Sequence, residues 1–74
     1  MITIIGYPEE KVHYKKCFLL HIETVNKFKF KVPARGYNLK SWIDFQKSLS
    51  MTKKVTIKEV TFKEYQKIIP WAMD

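Results

Sequence analysis

The sequence is poor in the features that stabilise small secreted domains. It contains a single cysteine, Cys17, so no disulfide can form within the chain, and secreted domains of this size usually need such bonds. Its first residues form only a short apolar run without the basic start of a signal peptide. No run approaches the roughly 18 apolar residues of a membrane span. These features predict a reduced, cytoplasmic setting and no membrane partner.

Catalytic signatures are equally scarce. With two glycines in the chain, there is no Gly-rich phosphate loop, and no serine or cysteine nucleophile motif is present. His13 and His21, beside Lys29 or Lys31, could supply the acid–base pair and phosphate clamp of a metal-independent ribonuclease. The alternative is that His21 is a surface residue among lysines. We favour this alternative, and we therefore expect a protein that is not an enzyme and needs no cofactor.

The possible metal ligands are too few and too far apart. Cys17 and His21 would lie on the same face of one strand, with their Cα atoms about 13 Å apart. One zinc ion cannot be bound by both without a bend in the strand. With His13 as the remaining candidate, the sequence predicts no metal site.

Acidic residues are outnumbered two to one. Seven Asp and Glu against fourteen Lys and Arg give a formal net charge of +7 and a pI of about 9.6. This balance fits an anionic partner, such as nucleic acid, an acidic protein or an anionic membrane surface. A soluble protein that is merely basic is the alternative. The 74 residues correspond to one domain, residues 1–74, and the 46% apolar fraction is enough for a core.

The central feature of the chain is a predicted β-hairpin over residues 17–32, CFLLHIETVNKFKFKV. Two alternating apolar runs are joined by a short polar break. A three-residue loop over 24–26 places Ile22 opposite Phe28 and gives one wholly apolar face, because a one-residue slip exchanges the faces of a strand. Asn26 tolerates the left-handed backbone that such a loop needs at its last residue.

The opposite face of the hairpin is predicted to be basic. Flexible ammonium groups spaced along a strand suit a phosphate backbone, although lysines on an exposed strand also prevent edge pairing. Both interpretations stay open. Phe28 and Phe30 are expected on the core side, so the basic face is not the stacking platform of a typical single-strand RNA-binding sheet. The candidate nucleic-acid-binding residues are Lys15, His21, Lys27, Lys29, Lys31 and Arg35.

The other segments complete an α+β domain with the order β-β-β-α-β-α. Pro33 is expected to end the third strand because it removes a ladder donor. Asn38 and Thr61 are expected to cap the two helices, and Pro70 to stop the second. The predicted fold is a small antiparallel sheet of three to four strands with one face packed by two helices. The remaining strands are predicted over residues 1–7 and 54–59, and the helices over 39–49 and 62–69.

The tail that follows Pro70 contains two large apolar residues, Trp71 and Met73. They are either a lid over the core or an exposed anchor for a partner. A small domain needs all the apolar area it can bury, whereas exposed apolar groups suit docking. Trp71 and Met73 are therefore the candidate partner-binding residues.

The run KFKFKVPARGYNLKSWIDFQKSL, followed by KKVTIKEV, covers about half of the chain. It resembles the strand-helix-strand unit of some small phage-encoded accessory proteins that inhibit host RNA polymerase or host toxin ribonucleases. The resemblance implies host takeover or counter-defence by binding rather than catalysis. It carries over no functional residue. The net charge differs from that of the acidic DNA-mimic members of this class, and a basic member could hold a host ribonuclease on RNA.

Two functions therefore follow as hypotheses. The first is a nucleic-acid-binding module, with RNA as the first candidate, which acts through the lysine-rich sheet face and modulates a host enzyme. The second is a protein–protein inhibitor or antitoxin-like accessory protein without nucleic-acid binding. A homodimer is compatible with the second hypothesis, because a sheet edge and exposed apolar groups suit self-association.

Overall fold

The hairpin is the centre of the structure, a computed structural model that describes residues 2–73. The chain order β-β-β-α-β-α is confirmed, and so is the α+β class. The strands are β1 (Thr3–Ile5), β2 (Cys17–Thr24), β3 (Lys29–Arg35) and β4 (Thr52–Val60), and the helices are α1 (Leu39–Ser48) and α2 (Phe62–Ile68). The predicted first strand is thus shortened at both ends, with Met1 outside the described residues, whereas the fourth is longer than predicted.

The four strands form one sheet in the spatial order β1-β4-β2-β3. β2 lies at its centre and pairs antiparallel with both β3 and β4. β1 pairs with β4 in parallel, so the sheet is mixed rather than wholly antiparallel. A parallel pair needs a long crossover, and the chain between Ile5 and Thr52, which contains β2, β3 and α1, provides it.

The hairpin loop lies one residue later than predicted. Thr24 donates its N–H to the Phe28 carbonyl at 2.9 Å, and its hydroxyl accepts from the Phe28 N–H at 3.1 Å. The loop is therefore Val25-Asn26-Lys27, and Lys27, with φ 68°, takes the left-handed conformation expected at Asn26. The threonine contacts favour this position because they close the loop with both a backbone and a side-chain bond.

The pairing register of the hairpin consequently differs from the predicted one by two residues. Ile22 lies opposite Phe30 rather than Phe28, and Leu20 lies opposite Val32. A shift of two keeps each side chain on its predicted face. The core therefore forms on the predicted side of the sheet, where α1 supplies Leu39 and Ile43. Its buried cluster consists of Phe18, Leu20, Ile22, Ala34, Leu39, Ile43, Val55 and Ile57.

The two phenylalanines of β3 and its loop are not in this core. Phe30 is 48% exposed and Phe28 is 69% exposed, so the prediction that they are core residues is wrong. Ile22, the neighbour of Phe30 in the ladder, is only 1% exposed. The difference arises because β2 has a strand on each side, whereas β3 is at the edge of the sheet and its loop end is left uncovered.

Pro33 does not end β3, which continues to Arg35. It lies opposite Leu19 within the ladder. Proline is tolerated there because an edge strand needs hydrogen-bond donors on one side only. The predicted strand end was wrong because the sequence does not show that β3 is an edge.

The start of α1 is correct, but the predicted cap is not. Asn38 makes no side-chain cap hydrogen bond to α1. Its Oδ1 instead accepts from the Arg35 N–H at 2.8 Å and holds the turn before the helix. Farther along α1, the Gln46 side chain is buried, and its Oε1 accepts from the Thr52 hydroxyl at 2.8 Å. This bond ties the helix to the start of β4.

α2 does not share a face with α1. Arg35 lies opposite Cys17 in the ladder, on the side of the sheet that faces away from Phe18 and the core. The rings of Phe62 and Tyr65 from α2 pack against the Arg35 guanidinium. Their centroids lie 5.5 and 5.2 Å, respectively, from the guanidinium carbon Cζ. The prediction of one face packed by two helices is therefore wrong. α2 covers one end of the face opposite α1, because a single residue, Thr61, links it to β4.

No helix within residues 2–73 is long and apolar enough to span a membrane. The longer helix, α1, has ten residues.

The cap of α2 provides a test of the local structure. The Thr61 hydroxyl accepts from the Glu64 N–H at 3.2 Å, as the capping pattern predicted. We expect Thr61→Ala to lower the free energy of unfolding by about 1 kcal/mol, measured by urea denaturation, because one helix donor loses its acceptor. Thr61→Ser keeps the hydroxyl and should be close to wild type. Equal losses in both variants would show that the hydroxyl does not act as a cap.

Candidate nucleic-acid interface

The part of the sheet that α2 leaves open presents a group of basic side chains. His21 on β2 lies between Lys31 on β3 and Thr56 on β4. Lys29 and Lys54 flank Glu23 in the neighbouring row, and Lys58 lies opposite Leu19. All four lysines are exposed, whereas His21 is half-buried. We name this surface the basic face, and it consists of His21, Lys29, Lys31, Lys54 and Lys58.

Strand alternation puts these residues on one side. Val55 and Ile57 are buried in the core, at 0% and 5% exposure, so Lys54 and Lys58 point to the other side of β4. Neighbouring strands are about 4.8 Å apart, and four residues along a strand span about 13 Å. The basic face therefore extends about 10 Å across three strands and about 13 Å along β4, which allows several phosphates to be contacted together.

The positive charge of the basic face affects the pKa of His21, the residue at its centre. Burial lowers the pKa of His21 below its usual value of 6.5, and the positive charges of Lys58 and Lys31 lower it further. At neutral pH the imidazole is thus uncharged and the lysines supply the positive potential. The acid on this surface, Glu23, is paired with Lys53, whose Nζ lies 3.8 Å from Oε2.

A depression of about 370 Å³ lies within the basic face. His21, Lys29, Lys31 and Lys54 contribute to its lining, together with the acid Glu23. Three lysines outnumber this one carboxylate, which is itself paired with Lys53, so an anionic group could be held there.

The structure brings together three of the six predicted nucleic-acid-binding residues, His21, Lys29 and Lys31. Lys27 is exposed but lies in the hairpin loop. Lys15 is exposed just before β2, and it lines a depression together with Phe62 and Glu64 of α2. Sequence reasoning missed Lys54 and Lys58. Their alternation with buried residues was visible, but it points to this surface only once β4 is known to lie beside β2.

Arg35, the sixth predicted residue, is a structural residue. It is 6% exposed. Its Nη1 donates to the Met73 carbonyl at 3.2 Å, and its Nη2 donates to the Lys15 carbonyl at 2.9 Å. With the rings of α2 packed on it, the guanidinium joins three segments. A phosphate on the surface cannot reach it, so the assignment of Arg35 to the interface is wrong.

Trp71 and Met73 lie in solvent, at 79% and 86% exposure. The interpretation of the tail as a lid over the core is therefore wrong. The tail backbone is nevertheless held in place, since the Gln66 amide donates to the Ala72 carbonyl at 3.4 Å and Arg35 contacts the Met73 carbonyl. The two side chains are thus displayed from a backbone that hydrogen bonds connect to α2 and β3.

The two histidines are not brought together. His13 stacks on Tyr14 before β2 begins, with ring centroids 4.6 Å apart. His21 lies four residues beyond Cys17, about 13 Å along the strand. Residues 2–73 contain no group of three or more His, Cys, Asp or Glu side chains placed to hold a metal ion. Cys17 is buried, and its thiol lies 3.7 Å from the Lys15 carbonyl.

A larger concavity, of about 980 Å³, lies between residues 7–14 and the start of α1. Glu9 and Glu10 line it together with Lys11 and Lys40. The two negative and two positive charges cancel, so the lining of this concavity does not favour an anion over a cation.

No protein-family model matches this chain, and comparisons with curated proteins and with solved structures give no significant match. Functional inference therefore depends on the residues of this chain. The similarity to phage accessory proteins stays an expectation.

The basic face makes a testable electrostatic prediction. Lys58→Gln removes a positive charge that lowers the pKa of His21, so it should raise that pKa towards 6.5, measured by an NMR titration of the imidazole. Lys47→Gln is the control, because Lys47 is exposed on α1 at the other side of the sheet. A pKa of His21 that moves equally in both variants would contradict the proximity of Lys58.

Proposed function

We propose that this protein binds nucleic acid, with RNA as the first candidate, through the basic face. One observation carries the proposal: four exposed lysines from β3 and β4 surround His21 on one open surface, and the single acid among them is paired with Lys53. The chain as a whole has a net charge of +7, which adds to the attraction of a polyanion.

The chemistry of the basic face fits phosphate contacts better than base recognition. Lysine is a flexible point charge, and it neutralises phosphates without reading sequence. The binding we propose therefore depends on release of counterions and weakens steeply with salt. We propose binding rather than catalysis, because His13 and His21, the pair that could have served as acid and base of a ribonuclease, lie in different segments of the chain.

The resemblance of the sequence to phage accessory proteins, which stays untested, leads us to propose a biological setting as well. We propose that the protein acts in the cytoplasm by holding a host ribonuclease or a similar host enzyme on RNA. Such a role needs a surface for RNA and a second surface for protein. The basic face supplies the first, and the exposed tail side chains Trp71 and Met73 supply a candidate for the second.

Paired lysine substitutions test the phosphate contacts. Changing Lys29 and Lys31 to Gln, or Lys54 and Lys58 to Gln, should reduce the magnitude of the slope of log affinity against log salt by roughly 1.4 to 1.8 units, because each phosphate that is no longer neutralised contributes about 0.7 on a single strand and about 0.9 on a duplex. Fluorescence anisotropy with a labelled RNA measures this slope. Folding should change little, because exposed substitutions usually stay within about 0.5 kcal/mol each.

The matched control for this experiment is the pair Lys40→Gln and Lys47→Gln on α1, which removes the same charge from the other side of the domain. If all three double variants reduce the slope equally, net charge and not the basic face explains the binding. Absence of RNA binding at low salt, or affinity that is flat as salt rises, would overturn the proposed function.

A second candidate function is protein binding through the tail, and the exposure of Trp71 and Met73 on a hydrogen-bonded backbone favours it. We expect Trp71→Ala and Met73→Ala together to leave unfolding almost unchanged and to abolish recovery of a protein partner from nuclease-treated host lysate. The wild-type protein should retain that partner after nuclease treatment. Loss of all partners on nuclease treatment would favour the nucleic-acid function alone.

A further inference from the structure

An exposed run of alternating lysines and phenylalanines occupies the loop end of β3. All residues from Val25 to Lys31 are exposed, and the last five read KFKFK. Phe28 and Phe30 are among the exposed aromatic side chains of the domain, at 69% and 48% exposure. Their predicted burial in the core argued against a stacking role for these rings, and their exposure removes that reason.

We propose that Phe28 and Phe30 form a stacking site for unpaired bases, which makes the ligand of the basic face a single-stranded nucleic acid. This inference rests on the proposed function and specifies its substrate class. The phosphates would contact Lys29 and Lys31, and the bases would reach around the free edge of β3 to the rings.

The geometry of the edge allows both contacts. Phe30 lies opposite Ile22 and hence on the α1 side, whereas Lys29 and Lys31 lie on the basic face. Only the width of one strand separates the two sides, because β3 has no neighbour beyond it within the described residues. Residues two apart on a strand are about 6.7 Å apart, so the lysines and the rings repeat with the same spacing.

The free edge also offers hydrogen bonds. Thr24 bonds to the carbonyl of Phe28, and Gly36 donates to the Lys16 carbonyl. In an antiparallel pair the residues alternate between bonding to the partner strand and pointing away from it. The backbone N–H and C=O groups of the even-numbered residues of β3 therefore form hydrogen bonds with β2. The backbone N–H and C=O groups of Lys29 and Lys31 then point outward, where the edges of unpaired bases could meet them.

The rings distinguish single strands from duplexes. A ring can stack only on a base whose face is free, and bases in a duplex are already stacked on each other. A duplex would contact the lysines and gain nothing from Phe28 or Phe30. A single strand would gain about 1–3 kcal/mol per stacked base, which is about five- to 150-fold in affinity.

Charge favours a nucleic acid over another copy of the protein at this edge. Residues 24–35 contain no acid. A second copy paired along β3 would bring Lys29 and Lys31 against lysines of the same strand, and such like-charge contacts oppose edge pairing. An anionic strand is attracted by the same lysines, so the occupant we commit to is single-stranded nucleic acid.

The experiment compares a labelled oligouridylate with an RNA duplex that has the same number of phosphates, by fluorescence anisotropy on the full chain. We expect tighter binding of the oligouridylate. Phe28→Leu and Phe30→Leu should each weaken it roughly tenfold without changing the salt slope, because a stacked ring releases no counterions. Phe30→Tyr keeps a ring and should retain affinity. Duplex binding should not respond to these changes.

Tyr7→Leu is the matched control, because Tyr7 is a similarly exposed ring, at 44%, that follows β1 at the opposite edge of the sheet. Equal affinity for the two RNAs, or an equal loss in Tyr7→Leu, would overturn the stacking site. A dimer in sedimentation that Phe30→Leu dissociates would also overturn it and assign the edge to a second copy. If the wild-type protein binds neither RNA at low salt, the proposed function fails. If lysine substitutions weaken binding and ring substitutions do not, only the stacking site fails.

Discussion

The antiparallel pairing of β2 with a strand on each side is the constraint on which the rest of the domain depends. It buries Leu20 and Ile22 almost completely, at 0% and 1% exposure. Because the side chains of a strand alternate, a register that puts these two residues in the core also puts His21 on the opposite face. The same ladders then place lysines of β3 and β4 on either side of that histidine. Core and basic face are thus two consequences of one pairing, and a one-residue slip would exchange them.

Arg35 limits the basic face at one end. A buried guanidinium is costly unless it is paired or hydrogen-bonded. Here two backbone carbonyls and two aromatic rings surround it. These contacts hold α2 over Cys17, whereas the end of the sheet near Glu23 stays open. In a chain with fourteen Lys and Arg residues, one cation therefore organises the fold and others remain free for a ligand. Burial also raises the pKa of Tyr65, which packs against Arg35, although the guanidinium charge opposes that shift.

Sequence reasoning predicted the properties that depend on local alternation. It placed Leu20 and Lys31 on the correct faces, and it identified Thr61 as a cap because the donor that it binds is three residues away. It failed where the answer depends on distant neighbours. Lys54 joins the basic face only because β4 lies beside β2, and no local pattern shows the strand order.

The burial of Phe30 and of Arg35 also could not be predicted from local sequence, because the first is exposed and the second is buried, each against the usual preference of its residue type. An aromatic residue in an alternating run is usually buried, but the exposure of Phe30 depends on its place at an edge. An arginine is usually exposed, but Arg35 is buried because α2, which begins 27 residues later, packs on it. Burial of this kind is a property of the assembled layers, and a single sequence carries no direct signal for it.

The lysines and phenylalanines at the free edge of β3 have opposite effects on self-association. Exposed rings on an unpaired strand would promote edge-to-edge association. The alternating lysines oppose it, because a second copy brings positive charge against positive charge. Protection against self-association and attraction of a polyanion therefore come from the same side chains, so exposed lysines alone do not distinguish the two roles. The stacking site that we propose would distinguish them, because a ligand with free aromatic faces and negative charge contacts both the rings of Phe28 and Phe30 and the lysines, whereas protection against edge pairing involves the lysines alone.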